Sequence, residues 1–369
     1  MAIGDRKPAK IAYLRRRLLE WYKRNCRDLP WRKSRDPYAI WVSEIMLQQT
    51  RVAAVVERYR VFMARFPTLA ALALAHEDQV LALWSGLGYY RRARMLHKAA
   101  QFVAGRHQGN LPATVEELRA LPGVGAYTAA AIASIAHGER VPVVDGNVER
   151  VLCRLAGWQM GSRKGGAALK RKIGELAALL VDPDLPGEFN QALMELGATV
   201  CLPRNPRCQA CPVRRVCQTR GEHKTPPRPA MLSREVAHAL SVRSGRNARK
   251  PRGLVHREVL LEQRPASLTV MPGLWELPLL RDSAVPQEHL RMTLRHAIMQ
   301  VNYDVRIRTV FEGDVERMTI PGGQRRWVPL RAAAEMPLTG LTRKVLARAR
   351  LLPAAPLKTI APQRQPNLR

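Results

Sequence analysis

Apolar residues recur every three or four positions through residues 11–200 of the chain. This spacing predicts amphipathic helices that each bury one face. Prolines, glycines and capping residues separate one helix from the next. We predict helices over residues 11–24, 37–47, 51–65, 69–75, 78–83, 92–104, 126–137, 145–155, 164–180 and 188–200.

Two capping signals mark helix starts early in the chain. Asp36 is followed by Pro37, a pair that suits an N-cap and a first helical residue. Thr50 stands just before the next apolar-periodic segment and is predicted to cap that helix. A short break at Gln48 and Gln49 is therefore expected between the two helices.

Residues 121–127 (LPGVGAY) are predicted to join two helices by a tight turn. Upstream, Thr114 and Glu117 have the spacing of a capping box, which predicts a short helix that Pro122 and Gly123 end. The two glycines of the turn permit close backbone approach, and the following helix presents free N–H groups that can hold a phosphate. An ordinary helical turn in a core explains the same spacing, and this stretch alone leaves both interpretations open.

The hydrophobic pattern changes in the last third of the chain. Residues 218–229 are rich in proline and polar groups, which predicts a linker. Segments 236–242, 257–263 and 301–310 alternate or carry short apolar runs, which predicts strands, and 339–351 predicts a closing helix. This part is therefore predicted to form a separate α+β domain.

Positive charge dominates the composition. Lys and Arg number 61 against 30 Asp and Glu, which gives a net charge of +31 spread along the chain. Such an excess favours a polyanionic partner, nucleic acid above all, through electrostatic steering and counterion release. A generally Arg-rich proteome would give the same balance without such a partner.

The first residues contain no apolar signal core, and no run of about 20 apolar residues occurs. We therefore expect no membrane span and a cytoplasmic protein. In a reducing compartment, the six cysteines are expected to be free or metal-bound rather than disulfide-paired.

Four cysteines follow the last predicted helix in the order C-x6-C-x2-C-x5-C: Cys201, Cys208, Cys211 and Cys217. Four thiolates this close suit one tetrahedral metal ion or a cubane cluster. Zinc ribbons usually use two C-x2-C pairs, whereas this segment has one, so a 4Fe–4S cluster is favoured over zinc. Cys26 and Cys153 lack ligand spacing and are predicted to be core residues.

Two carboxylates and one loop are candidates for chemistry. Glu44 lies among apolar neighbours; if buried, it would have a raised pKa and act as a proton donor near neutral pH, although a solvated helix carboxylate is the commoner case. Asp145 is well placed to cap the 145–155 helix, which explains its type without any chemistry. Residues 84–92 (WSGLGYYRR) predict a loop that meets DNA, with Leu87 or an aromatic wedged between bases; a basic helix-linking turn is the alternative.

The cysteine spacing and five short motifs together resemble the adenine DNA glycosylase (MutY) family of the helix–hairpin–helix superfamily. The resemblance covers about residues 10–350. The motifs are VSEIMLQQT at 42–50, GLGYY at 86–90, LPGVG at 121–125, VDGN at 144–147 and MPGLW at 271–275. This family removes adenine mispaired with 8-oxoguanine.

The resemblance implies roles for both carboxylates. Glu44 would protonate N7 of adenine, which makes the base a stable leaving group. Asp145 would stabilise or transiently bond the oxocarbenium-like sugar that remains, as one of two carboxylates does in glycoside hydrolysis. Tyr127 and Asn147 would orient the reacting groups.

Position 127 bears on strand cleavage. The related pyrimidine-specific enzyme, endonuclease III, carries a Lys at this place, and that Lys forms a Schiff base and cuts the strand. Tyr127 cannot form one. The resemblance therefore implies a monofunctional glycosylase that leaves an abasic site.

The resemblance also implies a DNA interface, because the adenine must leave the base stack to be reached. The implied DNA contacts are Gln48, Gln49, Thr50, Leu87, Gly88, Tyr89, Tyr90, Gly123, Val124 and Gly125. The last three would bind phosphate through backbone N–H groups together with a bridging monovalent cation. The implied adenine pocket consists of Arg27, Trp31, Leu47, Val52 and Gln191.

A Nudix-like C-terminal domain that recognises 8-oxoguanine is implied as well. Where the family commonly presents Phe-Ser-His, this chain has Leu294, Arg295 and His296. Arg can donate to O6 or O8 of a purine, so recognition is expected to persist, while discrimination against a plain A·G mispair is put in question. The domain lacks a run of glutamates that could hold metal, so no nucleotide hydrolysis is expected.

We thus expect a multidomain protein with an all-α helix–hairpin–helix glycosylase core, a 4Fe–4S cluster loop and a C-terminal α+β Nudix-like domain. The predicted parts are an iron–sulfur domain at 1–28 and 138–220, a six-helix domain at 29–137, a linker at 221–234, the Nudix-like domain at 235–351 and a disordered tail at 352–369.

The expected partner is double-stranded DNA with A opposite 8-oxoguanine or guanine, bound by a monomer of bacterial, nucleoid-associated type. Two alternatives remain open at this stage. One is a related glycosylase for another mispaired base, and the other is a DNA-binding protein without catalysis.

Overall fold

The computed structural model describes residues 8–106, 109–159, 166–223, 230–244 and 257–352. The chain forms two compact units. The first consists of Met1–Gln49, Thr68–Ala73 and Lys98–Arg228, and the second of Thr50–Pro67, Leu74–His97 and Pro229–Arg369. The limits of these compact units differ from the predicted domain limits, since residues 50–67 and 74–97 belong to the same unit as the C-terminal part. The predicted domain limits at 28, 137 and 220 stay a prediction.

Helices build the part of the chain that precedes residue 230, as the hydrophobic period predicted. They are α1 Pro8–Asn25, α2 Pro37–Leu47, α3 Val52–Arg65, α4 Leu69–Ala73, α5 Glu77–Trp84, α6 Arg91–Arg106, α7 Val115–Arg119, α8 Ala126–His137, α9 Gly146–Ala156, α10 Gly166–Leu180 and α11 Pro186–Thr199. The described residues between 29 and 137 hold seven α-helices rather than six, because the short helix that follows Thr114, α7, adds to the other six.

Capping explains where α2 begins but not where α3 begins. Asp36 accepts a hydrogen bond from the backbone N–H of Tyr38 at 3.0 Å, as an N-cap does. The predicted cap at Thr50 is wrong, since Arg51 occupies the N-cap position of α3 without a side-chain hydrogen bond. Thr50 Oγ1 instead accepts from Arg92 Nη2 at 3.1 Å. The hydroxyl predicted to cap α3 therefore accepts a hydrogen bond from a guanidinium of α6 instead.

The predicted hairpin joins α7 to α8. Thr114 Oγ1 accepts a hydrogen bond from the backbone N–H of Glu117 at 3.3 Å. The Glu117 carboxylate, however, accepts from the hydroxyl of Thr114 and not from the backbone N–H of Thr114. Only half of the predicted capping box therefore forms. Gly123 in the turn has a φ of +76°, and Gly138 after α8 has a φ of +73°. Both lie in the left-handed region that favours glycine.

One core of the first unit unites the apolar faces of α1, α9, α10 and α11. Leu14 and Leu18 of α1 are fully buried there, and so is Cys153, as predicted. The core position predicted for Cys26 is wrong: this residue follows the end of α1 and is exposed. Separately, α8 packs against both α2 and α11, which sets the site described below.

In the described ranges 230–244 and 257–352, two sheets and three α-helices are present, so the predicted α+β class is correct. The strands are β1 Leu232–Leu240, β2 Val242–Ser244, β3 Arg257–Gln263, β4 Trp275–Glu276, β5 Leu290–Ile298, β6 Val301–Thr309 and β7 Arg325–Pro329; the helices are α12 Val315–Met318, α13 Leu330–Ala333 and α14 Gly340–Arg348. One sheet has the order β1-β6-β5, with β6 parallel to β1 and antiparallel to β5. In the other, antiparallel sheet, β3 pairs with β2, β4 and β7.

Three differences concern the borders of this part. β1 begins at Leu232, inside the predicted linker. The sequence analysis missed β5, although its apolar and polar residues alternate along LRMTLRHAI, and it missed β7. Residues 224–229 of the predicted linker and 353–369 of the predicted tail lie outside the described residues. No helix in the described ranges combines the length and apolar character that crossing a membrane requires.

Candidate active site

A buried carboxyl group and a phenol meet where α2 packs on α8. Glu44 of α2 is 6% exposed, and its Oε2 accepts a hydrogen bond from the hydroxyl of Tyr127 at 2.7 Å. Tyr127 lies in the first turn of α8, directly after the glycine turn. The structure thus brings together two of the residues predicted to be catalytic.

Burial sets the protonation of this pair. It raises the pKa of Glu44 from its ordinary value of 4.5 to about 7. The hydrogen bond from Tyr127 opposes this rise, and the nearby charge of Asp145 adds to it. Burial also raises the pKa of Tyr127 well above its ordinary value, so the phenol stays a donor. Glu44 can therefore carry a proton near neutral pH, as expected for a buried carboxyl.

Asp145 is held in place by hydrogen bonds from two donors. It is the N-cap of α9, and its Oδ1 accepts from the N–H of Val148 at 2.7 Å. Its Oδ2 accepts from Asn147 Nδ2 at 3.0 Å. The predicted capping role is therefore correct, and the cap hydrogen bonds also hold the carboxylate in one orientation at the positive end of a helix.

Arg150 holds Asn147 in turn. Its Nη2 donates to Asn147 Oδ1 at 2.9 Å and to the carbonyl of Gly197 at 2.7 Å. Its Nε donates to the carbonyl of Cys201 at 2.9 Å. A chain of hydrogen bonds therefore joins Asp145 to the first cysteine of the cysteine segment.

The sequence analysis missed Arg150. Asn147 and Arg150 are three residues apart on one helix, a spacing that puts their side chains on the same face and could have indicated the contact. The bond to Cys201 crosses 51 positions of sequence, and no local pattern predicts it.

One cavity of the first unit is lined by all four predicted cysteine ligands, Cys201, Cys208, Cys211 and Cys217. Its empty volume is about 320 Å³, part of it open to solvent. The described residues contain no group of three or more His, Cys, Asp or Glu side chains arranged to hold a single metal ion. Four thiols that line one cavity are donors that a metal centre could use.

A thiol with a raised pKa, Cys211, and a cationic side chain, Arg154, both line this cavity. Burial, reinforced by the neighbouring thiols, raises the pKa of Cys211 to about 12. Arg154 lies beside them, 3% exposed, and donates to Cys201 Sγ at 3.4 Å and to the carbonyls of Leu202 and Pro203 at 2.6 and 2.9 Å. Arg154 thus adds positive charge next to the sulfurs and braces the segment that carries them.

Two residues of the predicted adenine pocket, Arg27 and Gln191, make hydrogen bonds to other side chains of the first unit. Arg27 donates from Nε and Nη2 to the buried carboxylate of Glu195 at 2.7 and 2.8 Å. This ion pair was not predicted from the sequence. Burial opposes ionisation of Glu195, but the hydrogen bonds from Arg27 and Arg32 prevail and hold its pKa at about 2. Gln191 accepts from the hydroxyl of Tyr22 at 3.2 Å.

The other members of that predicted pocket differ in exposure and placement. Trp31 is buried and Leu47 is half-buried in the first unit, whereas Val52 belongs to the second unit. The pocket as a whole stays a prediction.

The hairpin offers fewer free donors than predicted. The N–H of Val124 donates to the carbonyl of Leu121 at 3.1 Å, so this group is engaged within the turn. Gly125 is the N-cap of α8 and has no side-chain cap. The phosphate contacts predicted at this hairpin stay a prediction, and the N–H of Val124 is already engaged within the turn.

Two further DNA contacts were predicted at the end of α2. Gln48 donates from Nε2 to Thr128 Oγ1 at 3.3 Å, which ties the end of α2 to α8. Gln49 is exposed and has a φ of +55°. Of the two, Gln49 is the one whose side chain is open to a ligand.

The predicted DNA loop lies in the second unit and is shaped by Arg92. Its Nη2 donates to Thr50 Oγ1 and to the carbonyls of Leu87 and Gly88, each at 3.1 Å. Leu87 is only 5% exposed, whereas Tyr89 is 49% exposed. Of Leu87 and Tyr89, Tyr89 is therefore the accessible one.

Leu294, Arg295 and His296 do not share one face of β5. Leu294 is buried in the core of the sheet, and His296 is half-buried. Arg295 points the other way and pairs with Asp304 at 3.0 Å, with a side chain 90% exposed. Successive strand residues alternate between faces, so the three predicted residues cannot contact one base together in this conformation.

Comparison with known proteins agrees with the geometry. Residues 42–175 match the family model of the HhH-GPD superfamily base excision DNA repair proteins. Human adenine DNA glycosylase is 49% identical over 221 residues, which are 58% of this chain and 40% of the human protein. The Mycobacterium tuberculosis adenine DNA glycosylase is 46% identical over 197 residues, 53% of this chain and 64% of that protein.

A solved structure extends the comparison. A thermostable thymine-DNA glycosylase is 28% identical, with a TM-score of 0.51, and the match covers 57% of this chain and 97% of that one. The chain thus carries a helix–hairpin–helix domain of the HhH-GPD superfamily. Within this class it resembles the adenine DNA glycosylases, as predicted. The match spans 40 to 64% of the length of the two adenine glycosylases compared.

The buried Glu44 carboxyl should cost stability. A pKa raised from 4.5 to about 7 costs the folded protein on the order of 3 kcal/mol above pH 7, since one pH unit corresponds to about 1.4 kcal/mol. The cost is absent below pH 4.5 and grows as the pH rises to about 7. Glu44→Gln should therefore raise the free energy of unfolding at pH 8 and lose this advantage near pH 5, as measured by urea titration.

A matched control is Glu116→Gln, which changes an exposed carboxylate of α7 and should alter stability by less than about 0.5 kcal/mol. Equal effects of the two substitutions at pH 8 would contradict the burial argument for Glu44.

Gly197 packs directly on Asn147. A Cβ added at Gly197 would lie 2.7 Å from the Cβ of Asn147 and 3.2 Å from its backbone C and O atoms. Gly197→Ala should therefore displace Asn147, release Asp145 and destabilise the fold by about 1–3 kcal/mol. Gly174→Ala on α10, where a Cβ meets nothing within 4 Å, should be neutral or stabilising. Thermal unfolding of both variants tests this, and equal stabilities would refute the packing argument.

Proposed function

We propose that this protein is a monofunctional DNA glycosylase that removes adenine mispaired with 8-oxoguanine or guanine and leaves an abasic site. The observation that carries the proposal is the buried Glu44 carboxyl, hydrogen-bonded to Tyr127, whose raised pKa near 7 suits a general acid. The identity to adenine DNA glycosylases over the helical part supports adenine as the target base.

Glu44 supplies the proton. Adenine leaves its sugar readily only if N7 is protonated, because the base then departs as a neutral group. A carboxyl whose pKa is close to the working pH is protonated often enough to donate and acidic enough to do so quickly. Tyr127 keeps the donor in one orientation through its 2.7 Å hydrogen bond.

Asp145 supplies the negative charge. Loss of the base leaves positive charge on the sugar, and a carboxylate already held in place stabilises it without reorganising. The hydrogen bonds from Val148 N–H and Asn147 provide that fixed orientation. Water then adds to C1′ of the sugar and loses a proton, which yields the abasic site and restores the proton on Glu44. The two carboxyl groups thus divide the acid role and the stabilisation of positive charge.

Tyr127 also restricts the product. A strand-cleaving lyase needs an amine to form a Schiff base with the sugar, and the side chain at this position is a phenol. The expected product is therefore an intact strand with an abasic site.

We further propose that Cys201, Cys208, Cys211 and Cys217 hold a 4Fe–4S cluster. When bound, such a cluster cross-links four points of a segment that has little regular structure of its own. Arg154 places positive charge beside the cysteine sulfurs. Arg150 donates both to the carbonyl of Cys201 and to Asn147, so a change in the position of Cys201 would also move Asn147. The cluster would therefore support the orientation of Asp145.

Double-stranded DNA is the proposed substrate, consistent with the net charge of +31. Tyr89 would enter the base stack, and the hairpin at Gly123 and Gly125 would hold phosphate with a bridging monovalent cation. In the proposed Nudix-like domain, the accessible Arg295 is the better candidate to meet 8-oxoguanine, since Leu294 is in the core.

One experiment tests the reaction. A duplex with one A opposite 8-oxoguanine, labelled on the A strand, is incubated with the protein, and half of the sample is treated with hot alkali. Strand breaks should appear only after alkali, because the enzyme removes the base without cutting. Breaks without alkali would contradict the argument from Tyr127.

The same assay separates the remaining alternatives. The similarity to a thymine-DNA glycosylase structure makes a T·G duplex the informative second substrate. Excision of thymine but not adenine would replace the proposed target base. No product from either duplex would favour a DNA-binding protein without catalysis.

A further inference from the structure

The loop that contains Tyr89 is held in a conformation that its own residues do not favour. Tyr89 has a φ of +47°, in the left-handed region, although it is not a glycine. Backbone of this kind persists only where surrounding groups enforce it. Arg92 and the Trp84 indole N–H, which donates to the Gly88 carbonyl at 3.2 Å, hold the tip of the loop.

Both ends of this loop are tied to the C-terminal part of the same compact unit. At one end, Ser85 Oγ accepts from Arg343 Nε at 2.8 Å. At the other end, the hydroxyl of Tyr90 donates to the carbonyl of Leu338 at 3.2 Å, and Ser85 Oγ reaches the same carbonyl at 3.4 Å. Ser85, Tyr90 and Leu338 are all buried. Solvent therefore does not compete for these hydrogen bonds.

Arg343 is itself anchored on α14 and the segment before it. Its guanidinium donates to the carbonyl of Ala334 at 3.3 and 3.4 Å and to that of Met336 at 3.2 Å. Burial lowers its pKa, and the charge of Arg58 adds to this effect. A partly buried guanidinium with several fixed acceptors is a rigid support, so its bond to Ser85 fixes the loop to this part of the chain.

We propose that Arg343, together with the carbonyl of Leu338, is a positioning residue that holds residues 85–90 in the conformation that presents Tyr89 to DNA. The C-terminal part would then act on DNA through the loop as well as through its own surface. The contact of Tyr89 with DNA rests on the proposed function. The positioning of residues 85–90 by Arg343 does not depend on that function.

Amide hydrogen exchange of the full-length protein without DNA tests the support. Peptides that cover residues 84–94 should exchange about fivefold faster in Arg343→Ala than in the wild type, because a buried hydrogen bond that stabilises the closed loop is lost. Arg348→Ala removes the same charge from an exposed position of α14 and should leave these peptides unchanged. Equal exchange in all three proteins would overturn the proposal.

Ser85→Ala offers a milder variant should Arg343→Ala fold poorly. It removes the hydroxyl and leaves the contacts of Arg343 with Ala334 and Met336 intact. In the double variant, the exchange rate should rise by a factor smaller than the product of the two single-variant factors. The reason is that both substitutions remove the same hydrogen bond, between Arg343 and Ser85. Fully multiplicative effects would show that Arg343 does not act through Ser85.

DNA binding and excision then test the consequence for function. In Arg343→Ala, the dissociation constant for the A·8-oxoguanine duplex should rise about fivefold, while the single-turnover excision rate at saturating protein stays within about twofold, since Glu44 and Asp145 are untouched. Arg348→Ala serves as the control for lost charge. An equal loss of affinity in both variants would reduce Arg343 to a general electrostatic contribution and overturn its positioning role.

The two claims fail separately. Faster exchange in Arg343→Ala together with no excision by the wild type would overturn the proposed function and leave the support standing. Normal excision by the wild type with unchanged exchange in Arg343→Ala would do the reverse.

Discussion

The candidate site depends on one hydrogen bond in an apolar setting, from Tyr127 to the buried carboxyl of Glu44. Removal from water favours the neutral acid, and the phenol favours the ion; the desolvation prevails and leaves the pKa of Glu44 at about 7. This balance exists because α2 packs against α8. Helix packing, and not any special residue type, therefore brings the pKa of an ordinary glutamate close to neutral pH.

The second carboxylate is held at a helix end. Asp145 stands at the start of α9, where the backbone N–H of Val148 and the side chain of Asn147 donate to it and fix its orientation. Arg150 connects this arrangement to the segment that carries the cysteines. Two carboxyl groups in unlike environments can divide acid and anion roles near neutral pH. The integrity of the cysteine segment is then expected to matter for the orientation of Asp145.

Local sequence was sufficient for much of this structure. The bounds of α8, the cap at Asp36, the glycine turn and the segment of four cysteines all follow from neighbours in sequence. The candidate roles of Glu44 and Asp145 came from the family resemblance, since local sequence alone left a solvated carboxylate and a helix cap as sufficient explanations. What escaped were contacts between distant residues. Arg92 takes the Thr50 hydroxyl across 42 positions, and Arg343 reaches Ser85 across 258. The exposure of Cys26 and the split of Leu294 from Arg295 likewise depend on where an element ends or which face it buries.

The measurement that bears most directly on this account is the single-turnover rate of adenine excision as a function of pH, in the wild type and in Tyr127→Phe. The wild-type rate should fall as the pH rises through about 7, because Glu44 then loses its proton. Tyr127→Phe removes a bond that favours the ionised carboxylate, so the pKa of Glu44 should rise and the fall should move to higher pH. A rate that does not fall above neutral pH, or a fall at the same pH in both proteins, would contradict the assignment of Glu44 as the acid.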